Sequence, residues 1–415
     1  MIRKTVLSIA FSLLGFLAIH AQTRILFDAT KAETAGNADW VTDADLHNLG
    51  FSGGPAVIGQ GTESNPQQFP TPAQSGITQS TPESYWKGGI SAWGVDLVKK
   101  GYVVETLPYN GAITYNSGSN PQDLSHYKVF IVCEPNIIFT SAEKTAILHF
   151  VQNGGGLFMV SDHTISDRNN DGYDSPEIWN DLMTTNSVKV NPFGITFDLA
   201  NISQTTSNVA NLPQDSLLHG PMGNVTQVMW SNGTTMTLNY TANPTATGIV
   251  YKTGSSATGS TNVMVAHSRY GAGRVAAIGD SSPCDDGTGD PNDVLYDGWI
   301  ADAGGNHEKL MMNATIWLAT ATSYTGIEEI PAGDYVQLFP NPFSRQAQLS
   351  ISPEITVKNG MFIITDLNGR ILRKLDLGSS HLNVIEKNGL TEGMYMYQVI
   401  SDGKLLGRGK FIISE

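Results

Sequence analysis

The middle of this chain contains runs that are apolar with no polar gap, and this constrains the fold more than any other feature. After Lys128, the stretch Tyr127–Val132 is wholly apolar, and Leu157–Val160, Val263–Ala266 and most of Arg274–Gly279 have the same character. A half-buried strand alternates apolar and polar residues, whereas a strand covered on both faces does not. Ile25–Phe27 and Tyr102–Leu107 add two more short strands. Helical spacing lies between them: Trp86, Ile90, Trp93 and Leu97 within Tyr85–Lys100, then Ser141–Val151 with Ser141 as the candidate N-cap, and later His307–Leu318. Strands alternating with helices predict an α/β fold, a doubly wound and mostly parallel sheet with helices on both faces. The stretch 190–260, rich in Asn, Thr, Ser and Gly, is expected to add antiparallel strands or loops at one side.

Both ends of the chain read differently. Arg3 and Lys4 precede an almost unbroken apolar run from Val6 to Ile19, closed by Ala21, which is the form of an export signal over 1–21. That run is too short to span a bilayer comfortably, so no transmembrane segment is expected in the mature chain. The α/β domain then covers 22–322. Glu328, Glu329, Pro331 and Gly333 mark a polar linker over 323–335. Beyond it, over 336–415, short β-rich runs (Met361–Thr365, Ile371–Leu375, Leu382–Ile385, Met394–Ile400, Lys410–Ile413) are separated by the turn pairs Asn368–Gly369, Asn388–Gly389 and Asp402–Gly403. This pattern predicts a small all-β sandwich.

Several residues in that last module carry a resemblance. Leu338-Phe339-Pro340-Asn341-Pro342-Phe343 opens it, Asp366-Leu367-Asn368-Gly369 lies mid-way, and Gly393-Met394-Tyr395 with Gly403-Lys404 closes it. The module resembles the type A sorting domain of the type IX secretion system of Bacteroidetes. The resemblance implies a partnership with that secretion machinery through 336–415, passage across the inner and outer membranes, and a cell-surface or extracellular destination.

The segments Lys128–Glu134, Phe150–Asp162 and Gly271–Ser281 run strand, acidic end, helix, Gly-Gly-Gly, strand. In this they resemble the class I glutamine amidotransferase-like superfamily, with its flavodoxin-like fold. The Gly-Ala-Gly-Arg-Val strand ending in Gly279-Asp280-Ser281 points to the branches that are not amidotransferases. The amidotransferase nucleophile is a Cys in a tight turn after a strand. Here the strand Leu157–Val160 leads into Ser161-Asp162-His163, so glutamine hydrolysis is not expected.

Ligands of open parallel sheets bind beyond the carboxyl ends of the strands. On that rule Asp28, Glu134, Asp162, His163, Asp280 and Ser281 share one rim and form the candidate catalytic set. Clustered carboxylates repel one another unless a cation or shared protons offset the charge. The competing reading is that each caps the helix that follows it. A hydrolase-like or carbohydrate-related cleft is therefore expected, with a non-catalytic glycan- or protein-binding module, or a small-molecule site, as the alternative.

The stretch from Asp167 to Glu177 places oxygen side chains at alternate positions before Gly172. Asp167, Asn169, Asp171, Tyr173 (through its carbonyl), Asp174 and Glu177 thus form a candidate Ca²⁺ loop. It is not an EF-hand, because a strand precedes it. A second acidic loop, Cys284 to Asp293, follows Asp280, with Trp299, Asp302 and His307 nearby as a sugar platform or as core. Cys133 and Cys284 are the chain's two cysteines, read either as a disulfide or as two half-buried thiols. The formal net charge of −14 and the lack of any Lys/Arg cluster in the sequence argue against a nucleic-acid partner.

Overall fold

Neighbouring residues along the central strands belong to two different cores, and this explains the unbroken apolar runs. Ile25, Phe27, Val129, Ile131, Phe158 and Val160 enter one core, and Leu26, Phe130, Val132, Leu157 and Met159 enter the other. The computed structural model describes residues 22–35, 39–43, 49–50, 57–58, 72–289, 296–300, 306–320, 336–353, 356–367, 369–401 and 404–414. The export signal at 1–21, the linker at 323–335, Asp290, Asn292, Asp293, Asp302, Asn368 and the Asp402–Gly403 turn lie outside the described residues. The chain divides into two compact units, Met1–Thr322 and Ser323–Glu415.

The first unit is built on a mixed sheet. Strands β1 (Arg24–Asp28), β2 (Val103–Leu107), β3 (Val129–Cys133), β4 (Gly156–Val160) and β11 (Gly273–Ile278) pair in parallel in the order β2-β1-β3-β4-β11. The 190–260 region supplies β5 (Ile195–Phe197), β6 (Ile202–Thr206), β7 (Val228–Gly233), β8 (Met236–Leu238) and β9 (Thr247–Tyr251). Strand β10 (Val263–Tyr270) runs antiparallel to β11. Beyond β10 the sheet continues antiparallel through β8 to β5, with β9 also paired to β10, while β6 and β7 form a separate antiparallel pair.

Helices α1 (Ser91–Lys99) and α4 (Asn306–Ala319) contribute to one core, and α2 (Ser141–Gln152) and α3 (Ser175–Thr184) to the other. Trp93 of α1 packs edge-on against Phe27 of β1 and Phe158 of β4, and its indole N–H donates to Thr315 Oγ1 of α4 at 3.1 Å. Truncating such a side chain costs about 3–5 kcal/mol.

Two local readings are corrected. The helix expected over Tyr85–Lys100 begins only at Ser91. Gly89 lies at φ +54°, and a Cβ there would sit 2.6 Å from the Asp39 carbonyl, so residues 86–90 form a loop that carries Trp86 into the core. The N-cap of α2 is Thr140 rather than Ser141. Thr140 and Glu143 exchange hydrogen bonds in a capping box. Cys133 and Cys284 are unpaired and buried, with their side chains in contact.

The second unit holds two antiparallel sheets. Strands β12 (Val336–Phe339), β13 (Gln346–Ile351) and β16 (Leu382–Glu386) form one, in the order β12-β13-β16. Strands β14 (Gly360–Thr365), β15 (Ile371–Gly378), β17 (Gly393–Ser401) and β18 (Lys404–Ile413) form the other, in the order β15-β14-β17-β18. Leu349, Ile351, Phe362, Ile364, Val399 and Phe411 fill a shared core. The Asn341 amide accepts from the Ile412 N–H and donates to the Lys410 carbonyl, both at 2.9 Å. These bonds fasten the Leu338–Phe343 motif to the last strand.

Candidate active site

Strands β3, β4 and β11 are neighbours and run in parallel, so their carboxyl ends emerge side by side. Glu134 follows β3, Asp162 and His163 follow β4, and Asp280 and Ser281 follow β11. A cavity of about 350 Å³ opens at this rim, and Asp162, His163, Arg168, Asn232, Ser281 and Tyr296 contribute to its wall.

Glu134 lies beneath the cavity and is fully buried. Its Oε2 accepts from Ser281 Oγ at 2.6 Å and from Trp40 Nε1 at 3.0 Å. Arg168 Nη2 lies 3.3 Å from Glu134 Oε1 and 3.3 Å from Asp162 Oδ2, joining the two acids. Glu134 also has a left-handed backbone, φ +50°. A non-glycine residue held there stores about 1–3 kcal/mol, a kind of strain that clusters at functional sites. The Asn136 side chain supports this turn by donating to the carbonyls of Glu134, Ala32 and Thr34.

Burial raises all three acids. Glu134 is pushed well above the carboxylate range, first by loss of water and then by the neighbouring Asp162 charge. Asp162 and Asp280 are each pushed up to about 8, chiefly by burial, with the charge of Asp280 adding to the shift on Asp162. Glu134 and Asp162 are within hydrogen-bonding reach of each other, so one proton can bridge them. His163 Nδ1 lies 3.0 Å from Asp162 Oδ1, and burial together with Arg168 holds the imidazole below its usual range. The site therefore combines carboxyls that burial makes easier to protonate, an imidazole that burial and Arg168 keep neutral, one guanidinium and a serine hydroxyl.

The six residues expected at the rim thus fall into three groups. Asp162, His163 and Ser281 line the cavity, and buried Glu134 joins them through its bonds to Ser281 and Arg168. Asp280 sits behind it, accepting from the Ser282 N–H at 2.8 Å and from the Ser231 N–H, so it acts as a turn cap. Asp28 accepts from the Thr30 N–H and pairs with buried Glu33, and it does not line the cavity. Arg168 and Trp40 are contributed by loops that fold over the rim, and the sequence reading assigned neither a role here. Arg168 was visible as the one cation within the 167–177 run; Trp40 had no signal.

The 167–177 loop is held by its own hydrogen bonds. Asp167 accepts from the N–H groups of Asp171 and Gly172, and Asp171 accepts from Tyr173 N–H. Asn169 directs its amide N–H₂ to the Asn136 carbonyl and to Asp171. Asp174 is the N-cap of α3 and accepts from Thr164, Ile165 and Ser166, while its own N–H donates to Glu177. Among the described residues, no group of three or more His, Cys, Asp or Glu side chains could hold a metal ion. Trp299 is core, against Trp93.

Residues 337–414 match the secretion system C-terminal sorting domain (Por_Secre_tail). The second unit is therefore a sorting domain of the type IX secretion system. It implies interaction with that machinery and export to the cell surface or extracellular space. No helix among the described residues is long and apolar enough to cross a membrane. No curated protein sequence matches the chain. Solved structures with some likeness include the mmIFT52 N-terminal domain, at 15% identity over 72% of this chain and 98% of that one, with TM-score 0.42. A cytoplasmic protein from Salmonella typhimurium has 10% identity over 71% and 98%, with TM-score 0.35. A beta-galactosidase from Bacillus circulans sp. alkalophilus has 13% identity over 69% of this chain and 34% of its own, with TM-score 0.28. These likenesses are too low to carry an argument about function.

Proposed function

We propose that the α/β unit is an exported hydrolase that works by acid–base catalysis through Glu134 and Asp162. The supporting observation is that two buried strand-end carboxyls, neither spent on a helix cap, are joined by Arg168 beside a cavity of about 350 Å³. A proton-sharing carboxyl pair can release a proton to a leaving group and take one from an attacking water. Ser281 Oγ, already donating to Glu134, is the side-chain hydroxyl placed to act as nucleophile or to hold substrate. The rival reading is a non-catalytic glycan- or protein-binding module, and the double clamp of Arg168 on both acids favours it. The test is turnover of chromogenic esters and glycosides by the full chain, wild type against Glu134→Gln. Ester turnover lost in the variant supports the hydrolase; no turnover by wild type, with glycan binding retained, supports the module.

Several finer readings belong to the same proposal. Residues 1–21 act as a signal peptide, and the source is a member of the Bacteroidetes. The order β2-β1-β3-β4-β11, with helices in both cores, supports a doubly wound sheet of amidotransferase-like descent. Calcium at the 167–177 loop is a separate proposal supported by the sequence pattern alone. It predicts a Tm lowered by chelator. An unchanged Tm, in wild type and in Asp167→Ala, removes it.

A further inference from the structure

We propose that a second cleft, at the amino ends of the parallel strands, binds a small ligand bearing an oxyanion: a carboxylate, sulfate or phosphate group. This cavity, of about 510 Å³, is lined in part by Ser216, His219, Arg269, Arg274, Asn313 and Trp317. Arg269 and Arg274 stand directly opposite each other in the β10–β11 register. Like charges in that position repel and destabilise a sheet. A chain of net charge −14 has acids to spare, yet among the described residues neither arginine forms an ion pair with a carboxylate.

Arg274 is held in place by its surroundings. Its guanidinium lies over the Trp317 ring, 4.9 Å from the centroid, and donates to the Trp317 carbonyl in the last turn of α4. Its Nε is buried and has no partner. Burial and the charge of Arg269 lower Arg274 to about 10, and Arg274 in turn lowers Lys128. The helix-end bond gives Arg274 a structural role, but Arg269 is exposed and has none. A planar or tetrahedral oxyanion between the two would supply the missing counter-charge.

Isothermal titration of the full chain at low ionic strength, with inorganic sulfate, inorganic phosphate and glucuronate as separate probes, tests this. Wild type is expected to bind at least one probe, more weakly as salt rises, and at least tenfold more weakly in Arg269→Gln and Arg274→Gln. Preference for glucuronate would indicate an acidic sugar, and preference for phosphate a phosphorylated ligand. Because Arg269 is exposed, Arg269→Gln decides the matter even if Arg274→Gln fails to fold. Three results overturn the proposal: no probe binds wild type, Arg269→Gln binds as wild type does, or Asp162→Asn at the opposite rim abolishes binding.

Discussion

The two rims of the same sheet handle charge in opposite ways. At the carboxyl ends, Glu134, Asp162 and Asp280 are buried together and offset their mutual repulsion with protons and Arg168. At the amino ends, Arg269 and Arg274 cannot shed charge so easily, since a guanidinium stays protonated, and among the described residues no carboxylate forms an ion pair with either. Carboxyls can therefore be concentrated without a ligand, whereas paired arginines leave a charge for something else to meet.

The largest expected effect comes from the backbone that holds the acidic rim in place. A Cβ on Gly279, between β11 and Asp280, would lie 2.1 Å from the Thr234 carbonyl. Gly279→Ala should cost several kcal/mol, on the order of the strongest single-site losses, and thermal melting should show a Tm lowered by about 10–20 °C or no folded protein. A near-native Tm would mean the β11 end and the 234 turn are not in contact.

Next in size is activity. Glu134→Gln and Asp162→Asn should each lower kcat of any hydrolysis by about 10²–10⁴-fold, the range for a lost general acid or base, without lowering Tm at pH 8. A variant that lost Tm along with activity would instead mark a structural acid.

A smaller effect lies in pH. Asp162 and Asp280 titrate near 8 when folded and near 4 when unfolded. A group raised in this way contributes all of its stability below the unfolded value and loses it as pH rises through the folded value. Tm should therefore fall as pH rises from about 4 to about 8 and level off above it, and Asp162→Asn should flatten the slope. At the other rim, Arg269→Gln should leave this slope unchanged, because Arg269 is remote from the acids; a changed slope would show that the rims are coupled.

The layout of the acidic rim was legible in the sequence because strand ends follow directly from apolar runs. The parallel strands and the grouping of Glu134, Asp162, His163 and Ser281 follow from that one pattern, and α4 from its helical spacing. The fate of each acid was not legible, because it depends on the loops that return to the rim. Asp28 is diverted by Glu33 five residues later, and Asp280 by the Ser231 N–H from β7. Trp40 and Arg168 arrive from irregular segments that have no periodicity to read. The 167–177 run shows the same limit. Alternate oxygens before a glycine fit a cation loop and a self-bonded turn equally well, and the sequence does not show that Asp167, Asp171 and Asp174 accept backbone N–H groups of the same loop. Likewise Ser141 and Thr140 are both good caps by type, and the capping box with Glu143 selects Thr140.

Carbon-13 NMR titration of the labelled Asp and Glu carboxyls, assigned with Asp162→Asn and Glu134→Gln, examines the buried acids most directly. A shared proton requires the pair to hold a single proton between its two carboxyls at neutral pH and to lose it as pH rises through about 8. If both carboxyls ionise below pH 5, the pair holds no proton between them and the acid–base cleft is lost.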